Sequence, residues 1–147
     1  MLEFYRQIAL ALQQGPIVLA TVVYTKGSVP REVGAKMVVC SDGTIIGTIG
    51  GGAGEARVID QAHQVLTTGK KQLAEIDLSG SPQRETQGIC GGVMQVWLER
   101  WQGEPALALI NQIIECLESG KVAALVTPFE DTRSPYLELG GGGGRGG

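Results

Sequence analysis

The sequence predicts an α+β fold of mixed character, one sheet of about six strands with three helices packed on it. Three observations carry this. Apolar residues recur at helical spacing in three separate stretches. Short β-branched or alternating runs lie between those stretches, bounded by glycine and proline. The 147 residues, 43% hydrophobic and 18% charged, suffice for one globular domain with a core of its own.

Phe4, Ile8 and Leu12 with neighbouring alanines form one face of a first helix, which ends near Gln14 at Gly15-Pro16. Ile17 to Tyr24 is almost continuously apolar and β-branched, as a strand buried on both faces is. Lys26 to Gly34 reads as a loop from its glycines and proline. Lys36 to Cys40 is a strand, and Ser41-Asp42-Gly43 turns it into a second one over Thr44–Ile49. A glycine run, Gly47-Thr48-Ile49-Gly50-Gly51-Gly52-Ala53-Gly54, then leads into a helix. Val58, Ile59, Ala62, Val65 and Leu66 give that helix its apolar side, and Gly69 closes it after Thr68. Lys71 to Asp77 alternates as a strand, and polar Ser79 to Gln87 is a loop. Gly88 to Gly92 is a second glycine turn, followed by a strand over Val93–Glu99. Ala106 to Ser119 is the third helix and Lys121 to Thr127 the last strand. Gly140 to Gly147, almost all glycine, has nothing to bury and reads as a disordered tail beyond a domain of residues 1–139.

Composition excludes several functions. A net charge of −3 without a basic stripe gives no footprint for nucleic acid. No apolar run reaches the roughly 18 residues of a membrane span. Three cysteines at spacings without CxxC, and one histidine, argue against a zinc site and for a reducing, cytoplasmic setting. Cys40 and Cys116 fall at core positions, and His63 lies off the apolar stripe of its helix.

The glycine run is the most informative stretch. A strand that turns through glycines into a helix gathers unpaired backbone N–H groups at the positive end of the helix dipole, which suits a phosphate or other anion. The same glycines also serve a tight turn with no ligand. Two familiar fingerprints fail by counting. The dinucleotide pattern needs glycine where Glu55 or Arg57 stands, and neither Gly-Lys pair (Gly69-Lys70, Gly120-Lys121) has the context of a P-loop. Arg31, beside Pro30 in a loop, has the fork to clamp a phosphate or to pair with Glu32 or Glu55. Lys36 either adds a second positive charge or guards a strand. Glu55 sits in the first helical turn, where a carboxylate is favourable without any ligand. It competes there with a bound anion, which points it toward Arg31, a ligand amine or a backbone N–H. Cys90, in the second glycine turn, is either a reachable thiolate or a small turn residue.

Read together, Leu19-Ala20-Thr21-Val22-Val23, Gly27-Ser28-Val29-Pro30-Arg31, Gly34-Ala35-Lys36-Met37, Gly47 to Gly52 with Glu55, and Ile89-Cys90-Gly91-Gly92 resemble the N-terminal domain of the XdhC/CoxI family. The resemblance is firm over residues 5–100 and looser over 104–139. It implies a maturation factor for xanthine or carbon monoxide dehydrogenase that binds molybdenum cofactor (molybdopterin), aids its sulfuration and delivers it to the apo-enzyme. The partners it implies are a molybdenum hydroxylase apo-enzyme and a cysteine desulfurase, with a homodimer as one assembly. The implied cofactor-binding set is Gly50, Gly51, Gly52, Glu55, Arg31, Lys36, Cys90, Gly91 and Gly92, with no catalytic residue. Ala53 stands where many members have Cys or His, and the Rossmann-like C-terminal domain of longer members is absent. Two other readings stand beside this one. One is a degenerate interaction module of the same family without cofactor. The other is a small enzyme acting on a phosphorylated or nucleotide ligand.

Overall fold

A computed structural model describes residues 1–78 and 91–140. It has the mixed α+β architecture expected, in two compact units: Ile17–Arg100, and Met1–Pro16 together with the chain from Trp101 onward.

The first unit holds β1 (Ile17–Lys26), β2 (Lys36–Cys40), β3 (Ile45–Gly47), helix α2 (Gly52–Thr68), β4 (Gln72–Asp77) and β5 (Val93–Trp101). The five strands form one sheet in the order β3-β2-β1-β5-β4. β2 pairs antiparallel with both β1 and β3, and β4 pairs antiparallel with β5. Ile17 lies opposite Cys40, Thr21 opposite Lys36, and Gln72 opposite Leu98. The expected hairpin turn between β2 and β3 is present. Gly43 donates its N–H to the Cys40 carbonyl at 3.0 Å, and Thr44 donates its own to Asp42 Oδ1 at 2.9 Å.

Strand alternation sorts the side chains. Val18, Ala20 and Val22 of β1, Met37 and Val39 of β2, Ala74 and Ile76 of β4, and Met94, Val96 and Leu98 of β5 form one core with Val58, Ala62 and Val65 of α2. That face of the sheet therefore carries α2. The alternate residues Ile17, Leu19, Val38 and Cys40 are buried as well, so β1 is covered on both faces over its first half, as its apolar run implied. Glu99 is the buried acid of β5. It accepts a hydrogen bond from Trp97 Nε1 at 3.2 Å and lies 3.9 Å from Lys71 Nζ.

The second unit holds α1 (Leu2–Gln14), α3 (Gly103–Ser119) and a hairpin of β6 (Ala123–Val126) with β7 (Tyr136–Leu139). Helices α1 and α3 pack together, with Tyr5, Ile8 and Leu12 buried on the first and Ile110, Ile113 and Cys116 on the second. Arg6 and Glu118 bridge them at 2.8 Å with both side chains half exposed, a pair that adds little to stability. The strands among the described residues thus divide into a sheet of five and a sheet of two, where the sequence suggests about six in one. Among the described residues, no helix is long and apolar enough to cross a membrane.

Candidate functional site

Two loops of the first unit come together at one end of its sheet. The chain leaves β3 at Gly47, passes Thr48 and buries Ile49 in the core, where it is 1% exposed. It then turns through Gly50, Gly51 and Gly52 into α2. These three glycines have φ of +125°, +76° and +70°, which side-chain-bearing residues rarely adopt. The loop between β1 and β2 lies against this turn. Pro30 packs so closely on Gly50 that a Cβ there would sit 2.6 Å from Pro30 Cβ. Cβ positions at Gly51 and Gly52 meet no heavy atom within 4 Å, so the backbone there borders open space.

Glu55 closes the turn from inside. Its Oε1 accepts hydrogen bonds from Thr48 Oγ1 at 2.6 Å, Gly51 N–H at 2.9 Å and Ile49 N–H at 3.2 Å. Gly50 N–H donates to Thr48 Oγ1 at 3.0 Å, so the N–H groups of residues 49 to 51 all have partners within the turn. Partial burial pushes the Glu55 carboxyl up, but the bonds from Thr48, Gly51 and Ile49 and the charge of Arg31 outweigh it and hold the carboxyl below its ordinary range. Of the partners open to Glu55 from sequence, backbone N–H groups are the ones it takes, and Arg31 acts on it as a neighbouring charge. The part played by Thr48 is not legible in its residue type alone. Beyond the turn, helix geometry leaves the N–H groups of Gly52 and Ala53 without intrahelical partners.

Arg31 is exposed, and its Nη1 donates to the Pro30 carbonyl at 2.8 Å. Lys36 does not join it. Met37 and Val39 face α2, so alternation along β2 places Lys36 on the opposite face of the sheet. There its Nζ donates to the Gly34 carbonyl at 3.0 Å, and burial lowers its pKa. Gly91 is exposed at the start of β5. Gly92 is buried, and a Cβ on it would fall 2.7 Å from the Ser28 carbonyl oxygen and 2.8 Å from Val29 Cγ1. Its lack of a side chain lets β5 begin tight against the loop that carries Arg31. Cys90 and the rest of the second glycine turn before Gly91 lie outside the described residues, as do the 79–87 loop and the tail from residue 141.

The remaining candidates are ordinary. Cys40 and Cys116 are buried, and burial, with the charge of Asp42, pushes the Cys40 thiol up. His63 is exposed on α2. Among the described residues, no cluster of three or more His, Cys, Asp or Glu is placed to hold a metal ion.

Fold and site define an α+β domain organised around a glycine turn with its own internal carboxylate, flanked by a Pro-Arg loop. Residues 10–77, which contain that turn and that loop, match the model of the XdhC and CoxI family, and the chain belongs to this family. It is 32% identical over 97 residues to the molybdenum cofactor insertion chaperone PaoD of Escherichia coli, covering 65% of this chain and 30% of that protein. It is 30% identical over 136 residues to a probable xanthine dehydrogenase subunit of Bacillus subtilis, covering 90% of this chain and 41% of the other. A crystal structure described as a xanthine dehydrogenase from Bacillus halodurans superposes with a TM-score of 0.69 at 26% identity, over 83% of this chain and 36% of that one. The chain spans less than half the length of the curated relatives it matches.

Proposed function

We propose that this chain is a maturation factor for a molybdenum enzyme of the xanthine dehydrogenase type, and that it holds molybdenum cofactor as cargo on the way to the apo-enzyme. The observation that carries this reading is the similarity to the insertion chaperone PaoD, together with the family match over the stretch that contains the glycine turn and the Arg31 loop. The geometry fits an anionic cargo in two respects. Arg31 is an exposed guanidinium at the turn, able to make bidentate bonds to a phosphate. Beside it, the open backbone at Gly51 and Gly52 and the helix start at Gly52 and Ala53 offer N–H groups with no side chain in the way. Lys36, on the far face of the sheet, has no part in this cradle. Cys90 is the thiol that the reading assigns to the metal or its sulfur. A cysteine desulfurase and the apo-hydroxylase are the partners it calls for, with a homodimer as its simplest assembly.

The test is retention of pterin. The protein is purified from cells that make molybdenum cofactor, and bound pterin is released by oxidation and read by fluorescence. Stoichiometric pterin on the wild type and its loss in Arg31→Ala are expected. A folded wild type that carries no pterin refutes the carrier reading. Ala53 and the internally filled turn favour a second reading, an interaction module that has lost its cargo. That module would capture the apo-enzyme while carrying no pterin.

A further inference from the structure

The second unit carries a sheet of only two strands among the described residues, β6 and β7. Gly140 N–H donates to the Val122 carbonyl at 2.7 Å, directly across the hairpin. Opposed pairs of an antiparallel ladder alternate between bonded and non-bonded. Ala124 with Glu138 and Val126 with Tyr136 are therefore bonded pairs, and Ala123 with Leu139 and Leu125 with Leu137 are not. The N–H and C=O groups of Ala123 and Leu125 thus point away from β7, along the outer edge of β6. Helix α3 packs against β7, and among the described residues no strand pairs with that outer edge. Its residues, Ala123-Ala124-Leu125-Val126, include no charge, proline or bulge to discourage pairing.

Alternation gives the hairpin two unlike sides. Ala123, Leu125, Leu137 and Leu139 share one, where the two β7 leucines line a cavity of about 280 Å³ with Cys116 of α3. On the other side Ala124, Tyr136 and Glu138 are exposed. We propose that the outer edge of β6 docks an extended segment of a partner protein, apolar at the two residues beside Ala123 and Leu125 and basic at the residue beside Ala124. Main-chain bonds to the outward groups hold the segment, and its side chains set the choice of partner. The apolar pair continues the leucine side of the sheet. The basic side chain passes over the methyl group of Ala124 toward Glu138, two strand spacings or about 10 Å from its own backbone. Charge favours such a partner, because the described part of the second unit has seven acidic side chains against three basic ones. A second copy of the chain does not fit. Antiparallel pairing of β6 with β6 joins two acidic surfaces. Every such register that uses the outward groups of both strands puts Val122, Ala124 or Val126 beside Ala124, never a base.

The inference stands apart from the cargo reading, because its test uses neither pterin nor apo-enzyme. The peptide acetyl-Thr-Ile-Lys-Ile-Thr-amide is titrated into the protein, and backbone amide resonances and their exchange with solvent are followed. Without peptide, the amides of Ala123 and Leu125 should exchange faster than those of Ala124 and Val126. With it, saturable shifts and slowed exchange at Ala123 and Leu125 are expected. Glutamate in place of the peptide lysine should weaken binding by about threefold or more, and Glu138→Gln should weaken the lysine peptide by about threefold. Ala123→Pro removes an outward donor but spares the ladder to β7, and should weaken binding by about fivefold. If the proline variant does not fold, Glu138→Gln, at an exposed position, still decides. No saturable shift at the Ala123 and Leu125 amides overturns the proposal. So do equal affinities for the lysine and glutamate peptides, and so does self-association of the chain that protects the same two amides without peptide.

Discussion

Gly50→Ala tests whether the turn is held by the close approach of Pro30. The new Cβ would sit 2.6 Å from Pro30 Cβ, and the backbone there has φ +125°. Two costs follow. A non-glycine residue held at such a φ is strained by about 1–3 kcal/mol. Forcing a methyl group into a filled contact adds about 1–3 kcal/mol, less whatever Pro30 recovers by moving with its loop. Their sum, about 2–6 kcal/mol before Pro30 relaxes, is a large share of the roughly 5–15 kcal/mol that holds a domain folded. Gly51→Ala supplies the control, because φ there is +76° but a Cβ meets nothing within 4 Å. It should cost the strain alone, about 1–3 kcal/mol. Urea unfolding of both variants isolates the contact as the difference between them. Pro30→Gly then completes a double-mutant cycle. That change costs roughly 0.4–1 kcal/mol alone by loosening the unfolded chain, but should recover about 1–2 kcal/mol when combined with Gly50→Ala. Equal costs at positions 50 and 51, or a cycle with no coupling to Pro30, would show that the contact does not hold the turn.

Glu55→Gln should flatten the acid side of the stability profile. The folded carboxyl lies below its ordinary value, so the stabilisation it brings is complete above about pH 4.3 and is lost as pH falls through the lowered value. Melting temperature against pH, wild type beside variant, should converge at the acid end and separate above it. Arg100→Ala should loosen the end of α2, where Arg100 Nη1 donates to the Leu66 carbonyl at 3.0 Å and the guanidinium lies over Gly69. A loss of about 1–2 kcal/mol is expected, with faster amide exchange in the last turn of α2 and no full rescue by lysine. Ile110→Ala removes a side chain only 1% exposed on α3 and should cost about 2–5 kcal/mol in chemical unfolding.

Much of the fold is legible in the sequence because its elements are short and cleanly punctuated. Lys36–Cys40 is β2 to the residue, and α1 ends at Gln14 before Gly15-Pro16. β7 is not legible: Tyr136-Leu137-Glu138-Leu139 is too short for its alternation to stand out, and it is a strand because it pairs with β6. Division of the strands into two sheets likewise depends on pairing between distant segments, which periodicity does not encode. At the site, the glycine turn and Arg31 are visible from residue type. The sidedness of Lys36 is not, since Met37, Val38, Val39 and Cys40 are all apolar and give no polar alternation to mark a face. The place of Glu55 in the first turn of its helix is plain from sequence. That its Oε1 reaches back four to seven residues to Gly51, Ile49 and Thr48 follows from the path of the turn, which no local pattern specifies.

The strand order β3-β2-β1-β5-β4 has a kinetic consequence. β1, β2 and β3 form a meander of near neighbours, and β4 lies beside β5, whereas β1 and β5 meet across an intervening sequence that contains all of α2. Local pairings close quickly, and distant ones wait on loop closure. The seam between β1 and β5, where Gly92 tucks under the Ser28 carbonyl, should therefore be the last part of the sheet to zip. Pro30 and Gly50 both belong to the early meander, so the glycine turn can be assembled before the sheet is whole. The segment that begins β5 arrives late, so substitutions at Gly50 should slow refolding, whereas those at Gly92 should mainly speed unfolding.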